Sequence, residues 1–137
     1  MAETKLNIGD SKSKKTYNKT LTPEQHTALI GKKIGDTFKG DVLELKGYEF
    51  EVKGGSDASG FPMRKDVSGS ERKKVLIVGG VGLRKTKYKG SKIRKMVCGN
   101  TIGEKTSQIN VAVTKWGKEP IEPAEEAAEE SKDEAKE

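Results

Sequence analysis

The sequence is short of the residues from which many catalytic and metal sites are built. It contains one cysteine, Cys98, and one histidine, His26. A disulfide within the chain and a zinc site made of cysteines are therefore excluded. No pair of carboxylates lies in an apolar stretch where it could serve as a general acid and base. The sequence thus predicts a protein that is not an enzyme and that holds no metal or cofactor.

Long hydrophobic runs are also missing. No apolar run approaches the roughly 20 residues that a membrane-spanning helix needs, and Met1–Asp10 lacks the apolar core of a secretory signal. These absences predict a cytoplasmic protein without a membrane partner.

Acidic residues are absent from one long stretch, 72–103, and concentrated in another, 119–137. The terminal stretch holds nine acidic and two basic residues, whereas residues 1–118 hold 25 basic and 12 acidic ones, a net charge of +13. Hydrophobic residues make up only 31% of the chain and charged residues 35%. A small core beneath so basic a surface indicates a polyanionic partner, and nucleic acid is the expected one.

The candidate RNA-binding residues cluster in the acid-free stretch. Seven of the twelve residues in Arg84–Lys95 are basic, and dense uncompensated charge of this kind neutralises phosphates and releases counterions. The alternative is a solvated loop that only aids solubility, although such loops usually mix the two signs. Aromatic residues make up only 5% of the chain, which favours recognition of RNA backbone and shape over base stacking. The predicted contacts are Arg64, Lys65, Arg72, Lys73, Lys74, Arg84, Lys85, Lys87, Lys89, Lys92, Arg94 and Lys95.

Two glycine-rich patterns resemble nucleotide sites but fail at the decisive positions. In Gly79–Thr86, Arg84 stands where a P-loop requires its second glycine, and Lys85 stands where a dinucleotide motif has its last. No small-molecule substrate is therefore predicted.

The strand patterns predict an all-β fold, a small closed or nearly closed β-barrel with one short helix. Strand-like runs lie at 4–8, 14–20, 36–39, 42–46, 47–53, 73–79, 93–98 and 107–115. The helix is expected at about 23–30, because Thr22 and Gln25 form a capping box around Pro23. Many short strands with little helix suit a barrel. We expect a basic RNA-binding domain at 1–118 and a disordered acidic tail at 119–137, where apolar residues are too few to fold.

The most distinctive segment follows the strand at 47–53. It reads Gly54-Gly55-Ser56-Asp57-Ala58-Ser59-Gly60-Phe61-Pro62-Met63-Arg64. The glycines allow unusual backbone angles and Pro62 holds Phe61 extended, which indicates a rigid, shaped loop at a sheet edge. Phe61 and Met63 are expected to pack inward.

This segment resembles the signature of the archaeal and eukaryotic family of small-subunit ribosomal protein S-six-e. The resemblance rests on Gly54, Gly55, Ser56, Asp57, Gly60, Phe61, Pro62, Met63 and Arg64, and blocks such as Gly31–Asp36, Gly79–Gly82 and Gly99–Ile102 resemble the archaeal form in the same order. One departure is informative, since Ile93, Met96 and Cys98 stand where Arg, Thr and Arg are typical of archaeal relatives. The resemblance implies a small β-barrel on the ribosome.

The predicted function is therefore that of a structural constituent of the small ribosomal subunit, acting in translation. Its partners would be small-subunit ribosomal RNA and neighbouring ribosomal proteins. The alternative is a free RNA-binding module or RNA chaperone that acts off the ribosome.

Overall fold

The computed structural model describes residues 3–121, and strands form most of its regular structure. In chain order the elements are β1 (Thr4–Asp10), β2 (Lys15–Leu21), α1 (Pro23–Leu29), β3 (Thr37–Lys39), a 3₁₀ turn (Gly40–Leu43), β4 (Glu49–Asp57), β5 (Arg72–Ile77), β6 (Ile93–Cys98) and β7 (Thr106–Lys115). The single α-helix of this region, α1, has seven residues. Within residues 3–121, no helix is long and apolar enough to cross a membrane.

The strands form two open sheets rather than a barrel. The larger has the order β2-β1-β7-β4-β3, in which β1 and β7 run parallel and the other neighbours antiparallel. The smaller contains only β5 and β6. Because β2 and β3 remain unjoined edges, the predicted closed or nearly closed β-barrel is wrong.

The segment 42–46, which was predicted to be a strand, is a turn. The backbone there turns instead, since the N–H of Leu45 donates to the Gly40 carbonyl and Glu44 takes a left-handed conformation with φ of 65°. This turn buries Leu43 completely. The apolar residues at 42–46 therefore pack as part of a turn, and β3 has only three residues with which to extend the sheet.

The core lies on the inner face of the large sheet. Alternate residues of β1, β4 and β7 point inward and are almost fully buried, as expected for strands with one covered face. These residues are Leu6, Ile8, Phe50, Val52, Ile109, Val111 and Val113. Helix α1 covers part of this face through Leu29, which has no exposed surface.

Helix α1 begins as predicted. The Thr22 hydroxyl accepts from the Gln25 N–H, and the Gln25 side chain accepts from the Thr22 N–H, so the capping box is confirmed. Its buried side is small, because Ala28 and Ile30 are exposed and only Leu29 enters the core.

The signature segment is part strand and part loop. Strand β4 continues to Asp57, so Gly54 and Gly55 lie in the sheet rather than in the predicted loop. A Cβ on Gly55 would collide with the carbonyl oxygen of Gln108 on β7 and lie 3.1 Å from the Met63 sulfur. Gly55 is thus required for the close approach of three segments. Met63 is buried and Phe61 half-buried, as predicted.

After Asp57 the chain folds back and joins the two sheets. The N–H of Met63 donates to the Gly55 carbonyl on β4, at 2.9 Å. On the other side the Cys98 N–H donates to the Pro62 carbonyl and the Arg64 N–H to the Cys98 carbonyl, at 2.9 and 3.0 Å. The returning segment is therefore hydrogen-bonded to β4 and β6 at once.

The described chain ends at Ile121, three residues into the stretch predicted as a disordered tail. The hydroxyl of Tyr48 donates to the Glu119 carbonyl, and Ile121 packs against the core. The rest of that predicted tail, 122–137, lies outside the described residues.

The close approach at Gly55 gives a test with a matched control. We expect Gly55→Ala to reduce the free energy of unfolding by about 1–3 kcal/mol, because the added methyl group overpacks the contact between β4 and β7. Gly54→Ala changes the neighbouring residue, where a Cβ meets no atom within 4 Å, and should stay within about 1 kcal/mol of the wild type. Urea unfolding of both variants measures the difference, and equal effects would contradict this account of β4.

Candidate nucleic-acid interface

Most predicted contact residues lie on the smaller sheet and the loop that joins its strands, which together we call the basic ribbon (residues 72–98). In its register Arg72 pairs with Cys98, Lys74 with Met96 and Leu76 with Arg94. Cross-strand partners share a face, so these six side chains lie on one side of the ribbon. The other side carries Lys73, Val75, Ile77, Ile93, Lys95 and Val97. Cations thus project from both faces.

The ribbon has a small apolar contact between its strands and its connecting loop. Ile77 and Val97 are buried, and Gly82 lies so close that a Cβ there would be 2.9 Å from Val97. Gly82 also has a φ of 94°, which favours glycine. The connecting loop therefore folds over the Ile77 and Val97 side of the ribbon.

The side chain of Arg64 holds this loop in place through hydrogen bonds. Its guanidinium donates to the carbonyls of Gly79 and Val81, at 3.4 and 2.7 Å, and forms an ion pair with Asp66 at 3.0 Å. Only 17% of the Arg64 side chain is exposed. The structure thus gives Arg64, a predicted RNA contact, several partners within the protein.

Arg72 is also engaged, at the base of the ribbon. It forms an ion pair with Asp57, whose side chain is almost fully buried, and donates to the Ser59 hydroxyl at 2.9 Å. The hydrogen bond from Arg72 lowers the pKa of Asp57, against the opposing effect of burial. This pair links the end of β4 to the start of β5.

Cys98 completes the same cluster. Its thiol is buried and lies 3.6 Å from the Asp57 carboxylate, to which it can donate. Burial raises the pKa of the Cys98 thiol, and the Asp57 charge raises it further. Cys98 is therefore held as a neutral thiol.

The other predicted contact residues are exposed. Lys73 donates to the Ser68 carbonyl at 3.3 Å. The rest form no ion pair within residues 3–121. These are Lys65, Lys74, Arg84, Lys85, Lys87, Lys89, Lys92, Arg94 and Lys95. The structure thus brings nine uncompensated cations to the ribbon and the segment beside it.

Apolar side chains are interspersed among these cations. Leu76 and Val78 are 52% and 50% exposed. Leu76 lies on the face of the ribbon opposite Ile77 and Val97, and near the end of β5 that face remains uncovered. Tyr88 is 66% exposed, with the Lys87 ammonium 5.5 Å from its ring centroid.

A second basic cluster was missed in the sequence. The turn between β1 and β2 exposes Lys12, Lys14 and Lys15, and the Lys12 ammonium lies 3.9 Å from the Trp116 ring centroid. Trp116 donates to Asp10 at 2.8 Å, and this hydrogen bond lowers the pKa of that carboxyl group. The Ser-Lys-Ser-Lys-Lys run at 11–15 is the feature of the sequence that could have revealed this cluster.

In the described part of the chain, no group of three or more His, Cys, Asp or Glu side chains could hold a metal ion.

Comparison with known proteins agrees with the signature segment. The family model described as Ribosomal protein S6e matches residues 4–126. The chain belongs to the ribosomal protein S6e family. It is 46% identical over 119 residues to the small ribosomal subunit protein eS6 of Methanosphaera stadtmanae, covering 83% of this chain and 91% of that protein. The eS6 protein of Methanocaldococcus jannaschii is 41% identical over 121 residues, covering 88% and 89%.

Family membership decides several predictions. It confirms the archaeal form of the family, since the relatives above are archaeal. It also confirms a ribosomal protein with a structural role in translation, located on the ribosome in the cytoplasm, rather than an enzyme.

The positions at which this S6e chain departs from the archaeal pattern have structural roles of their own. Ile93 pairs with Ile77 across the ribbon, and Met96 is half-buried beside Lys74. Cys98 is buried against Asp57. Packing therefore occupies all three of these positions.

The Asp57–Arg72 pair predicts a specific sensitivity to acid. Because the pKa of Asp57 is lowered in the folded state, its contribution to stability is complete above the unfolded value of about 3.9 and is lost as the pH falls through the folded pKa. We expect Asp57→Asn to make the free energy of unfolding fall less steeply than in the wild type when the pH is lowered from about 5 to 2. Asp41→Asn, at an exposed position, is the control. Equal slopes for the wild type and Asp57→Asn would contradict this assignment.

Proposed function

We propose that the chain is a structural constituent of the small ribosomal subunit and that its basic ribbon binds ribosomal RNA. The observation that carries the proposal is the group of nine exposed basic residues that have no acidic partner within residues 3–121. Unpaired ammonium and guanidinium groups are available to phosphates without first breaking an ion pair. The names of the relatives, small ribosomal subunit protein eS6, support the same place of action.

The mechanism is electrostatic bridging between RNA segments. Lys74 and Arg94 project from one face of the ribbon and Lys95 from the other, so the ribbon can neutralise phosphates on both sides at once. This arrangement screens the repulsion between neighbouring RNA backbones and holds them together. Arg64 and Arg72, through their contacts within the protein, position the ribbon and leave the lysines and the outer arginines to meet RNA.

The distribution of charge also divides the chain into a basic and an acidic part. We propose that residues 1–118 form the RNA-binding body and that the acidic residues of 119–137 form a tail that discourages binding to the wrong RNA. The contacts of Glu119 and Ile121 with the body attach the beginning of that tail beside β7. Neighbouring ribosomal proteins would be further partners on the subunit.

The first test separates a subunit constituent from a free RNA-binding module. We expect the tagged protein to sediment with small subunits in a native lysate and to remain stoichiometric after a high-salt wash. Protein that stayed at the top of the gradient, or that left the subunits in mild salt, would favour the free module instead.

A second test addresses the ribbon itself. Arg84→Ala/Lys85→Ala/Lys87→Ala should weaken binding to small-subunit rRNA and reduce the salt dependence of log K by about 0.7–0.9 for each phosphate that the variant no longer neutralises. The control, Lys33→Ala/Lys39→Ala/Lys46→Ala, removes the same charge from exposed positions outside the ribbon. Binding measured at four or more salt concentrations gives both slopes. An unchanged slope in the ribbon variant, or an equal change in the control, would overturn the assignment.

A further inference from the structure

The outer face of the large sheet has an unusual composition for this chain. On β2, β1 and β7 the side chains opposite the core form three rows across the strands. Each row is centred on one residue of β1, namely Lys5, Asn7 or Gly9, which pairs with one residue of β2 and one of β7. The rows contain Thr16, Gly9 and Ala112, then Asn18, Asn7 and Asn110, and last Thr20, Lys5 and Gln108. We call these nine residues the neutral face. Lys5 is its only charged member.

The neutral face is open and rich in hydrogen-bonding groups. Thr16, Asn18 and Asn110 are exposed, and a shallow depression runs between β2, β1 and β7. The side-chain amide of Asn7 donates to the side-chain oxygen of Asn110 at 2.8 Å. Within residues 3–121 the Asn7 oxygen and the Asn110 nitrogen make no other side-chain hydrogen bond, so the pair presents one acceptor and one donor group outward.

This composition differs both from an ordinary solvated face and from a protein-binding face. In a chain with 35% charged residues, a solvated sheet face would carry lysines and glutamates along its rows. A protein interface is anchored by aromatic residues, Met or Arg, whereas the largest apolar side chain among these nine residues is Ala112. Because Gly9 has no side chain and that of Ala112 is a methyl group, a partner can approach the backbone of the sheet closely at these positions.

Apart from Lys5, the charged groups surround the neutral face rather than lying on it. On the β4 side Glu51 stands opposite Ala112 and forms an ion pair with Lys53 at 2.8 Å, and lysines lie at the two ends. Lys5 is at one end of β1, and the turn with Lys12, Lys14 and Lys15 is at the other, about 17 Å away at the rise of an extended strand. The minor groove of duplex RNA has the complementary arrangement. It is wide and shallow, its floor presents uncharged 2′-hydroxyls and base edges, and phosphates line its sides.

We propose that the neutral face binds the minor groove of duplex RNA, as a second contact separate from the basic ribbon. Asn18, Asn110 and Thr16 would bond 2′-hydroxyl groups, and the terminal lysines would meet the flanking phosphates. This inference rests on the proposed function, because it requires that ribosomal RNA is the partner.

Variants of the neutral face and variants of the ribbon should have different effects on RNA affinity and on its salt dependence. Asn18→Ala/Asn110→Ala should weaken binding to small-subunit rRNA by at least about fivefold and leave the salt slope unchanged, because neutral hydrogen bonds release no counterions. Thr27→Ala, which removes an exposed hydroxyl group from α1, should bind as the wild type does. Thermal unfolding by circular dichroism verifies the fold, and Asn18→Ala alone, on the edge strand, replaces the double variant if that variant unfolds.

The outcomes separate this inference from the function on which it rests. Wild-type affinity in the double variant, or weaker binding with a reduced salt slope, would overturn the neutral face and leave the ribbon standing. A wild-type protein that failed to bind small-subunit rRNA at all would overturn the proposed function itself.

Directed cleavage in assembled small subunits identifies what covers the face. Asn18→Cys places an accessible thiol on the neutral face for an iron–EDTA probe, while the buried Cys98 stays unlabelled. Hydroxyl radicals from this site should cut both strands of one duplex segment of the rRNA. The absence of local cuts, expected if a protein or only solvent lies against the face, would overturn the proposal.

Discussion

The architecture depends on the return of the chain from Asp57 to Arg64. Residues 62–64 lie between β4 and β6 and make backbone hydrogen bonds to both, so one short segment joins the two sheets. The geometry leaves no room for a side chain at Gly55, and the ion pair between the buried Asp57 and the partly exposed Arg72 fixes the base of the ribbon to the same place. Without these contacts a two-stranded sheet would be marginal by itself.

This joint explains how a protein with a small core can hold a highly charged surface. The apolar side chains of the core lie on the inner face of the large sheet, while the cations are carried on a ribbon in which Ile77, Val97 and Gly82 form a small apolar contact. Mutual repulsion among the ribbon cations therefore acts on a part of the structure that is fastened through hydrogen bonds and the Asp57–Arg72 ion pair. Stability and charge are supplied by different parts of the chain.

The sequence predicted local features better than their arrangement. The capping box at Thr22, the strand at 107–115 and the inward position of Met63 follow from neighbouring residues, and all three predictions agree with the structure. Closure of the sheet depends on long-range pairing, and the pattern at 42–46 is compatible with a strand until the turn from Gly40 to Leu45 is seen. The roles of Arg64 and Arg72 were obscure for a similar reason, because charge in a sequence does not reveal that a partner such as Asp57 is buried beside it. The neutral face could not be found by motif, since its three rows combine residues about a hundred positions apart.

The parallel pairing of β1 with β7 has a consequence for how the protein is made. Strand β1 finds its central neighbour only in β7, with Lys5 opposite Gln108 and Gly9 opposite Ala112. During synthesis β1 and β2 can form only a two-stranded hairpin, and such hairpins are marginal in water. The large sheet must wait until β7 has left the ribosome that is producing it, and long-range pairing of this kind folds slowly. A nascent copy therefore exposes its cationic segments before its core is complete, at a site surrounded by RNA.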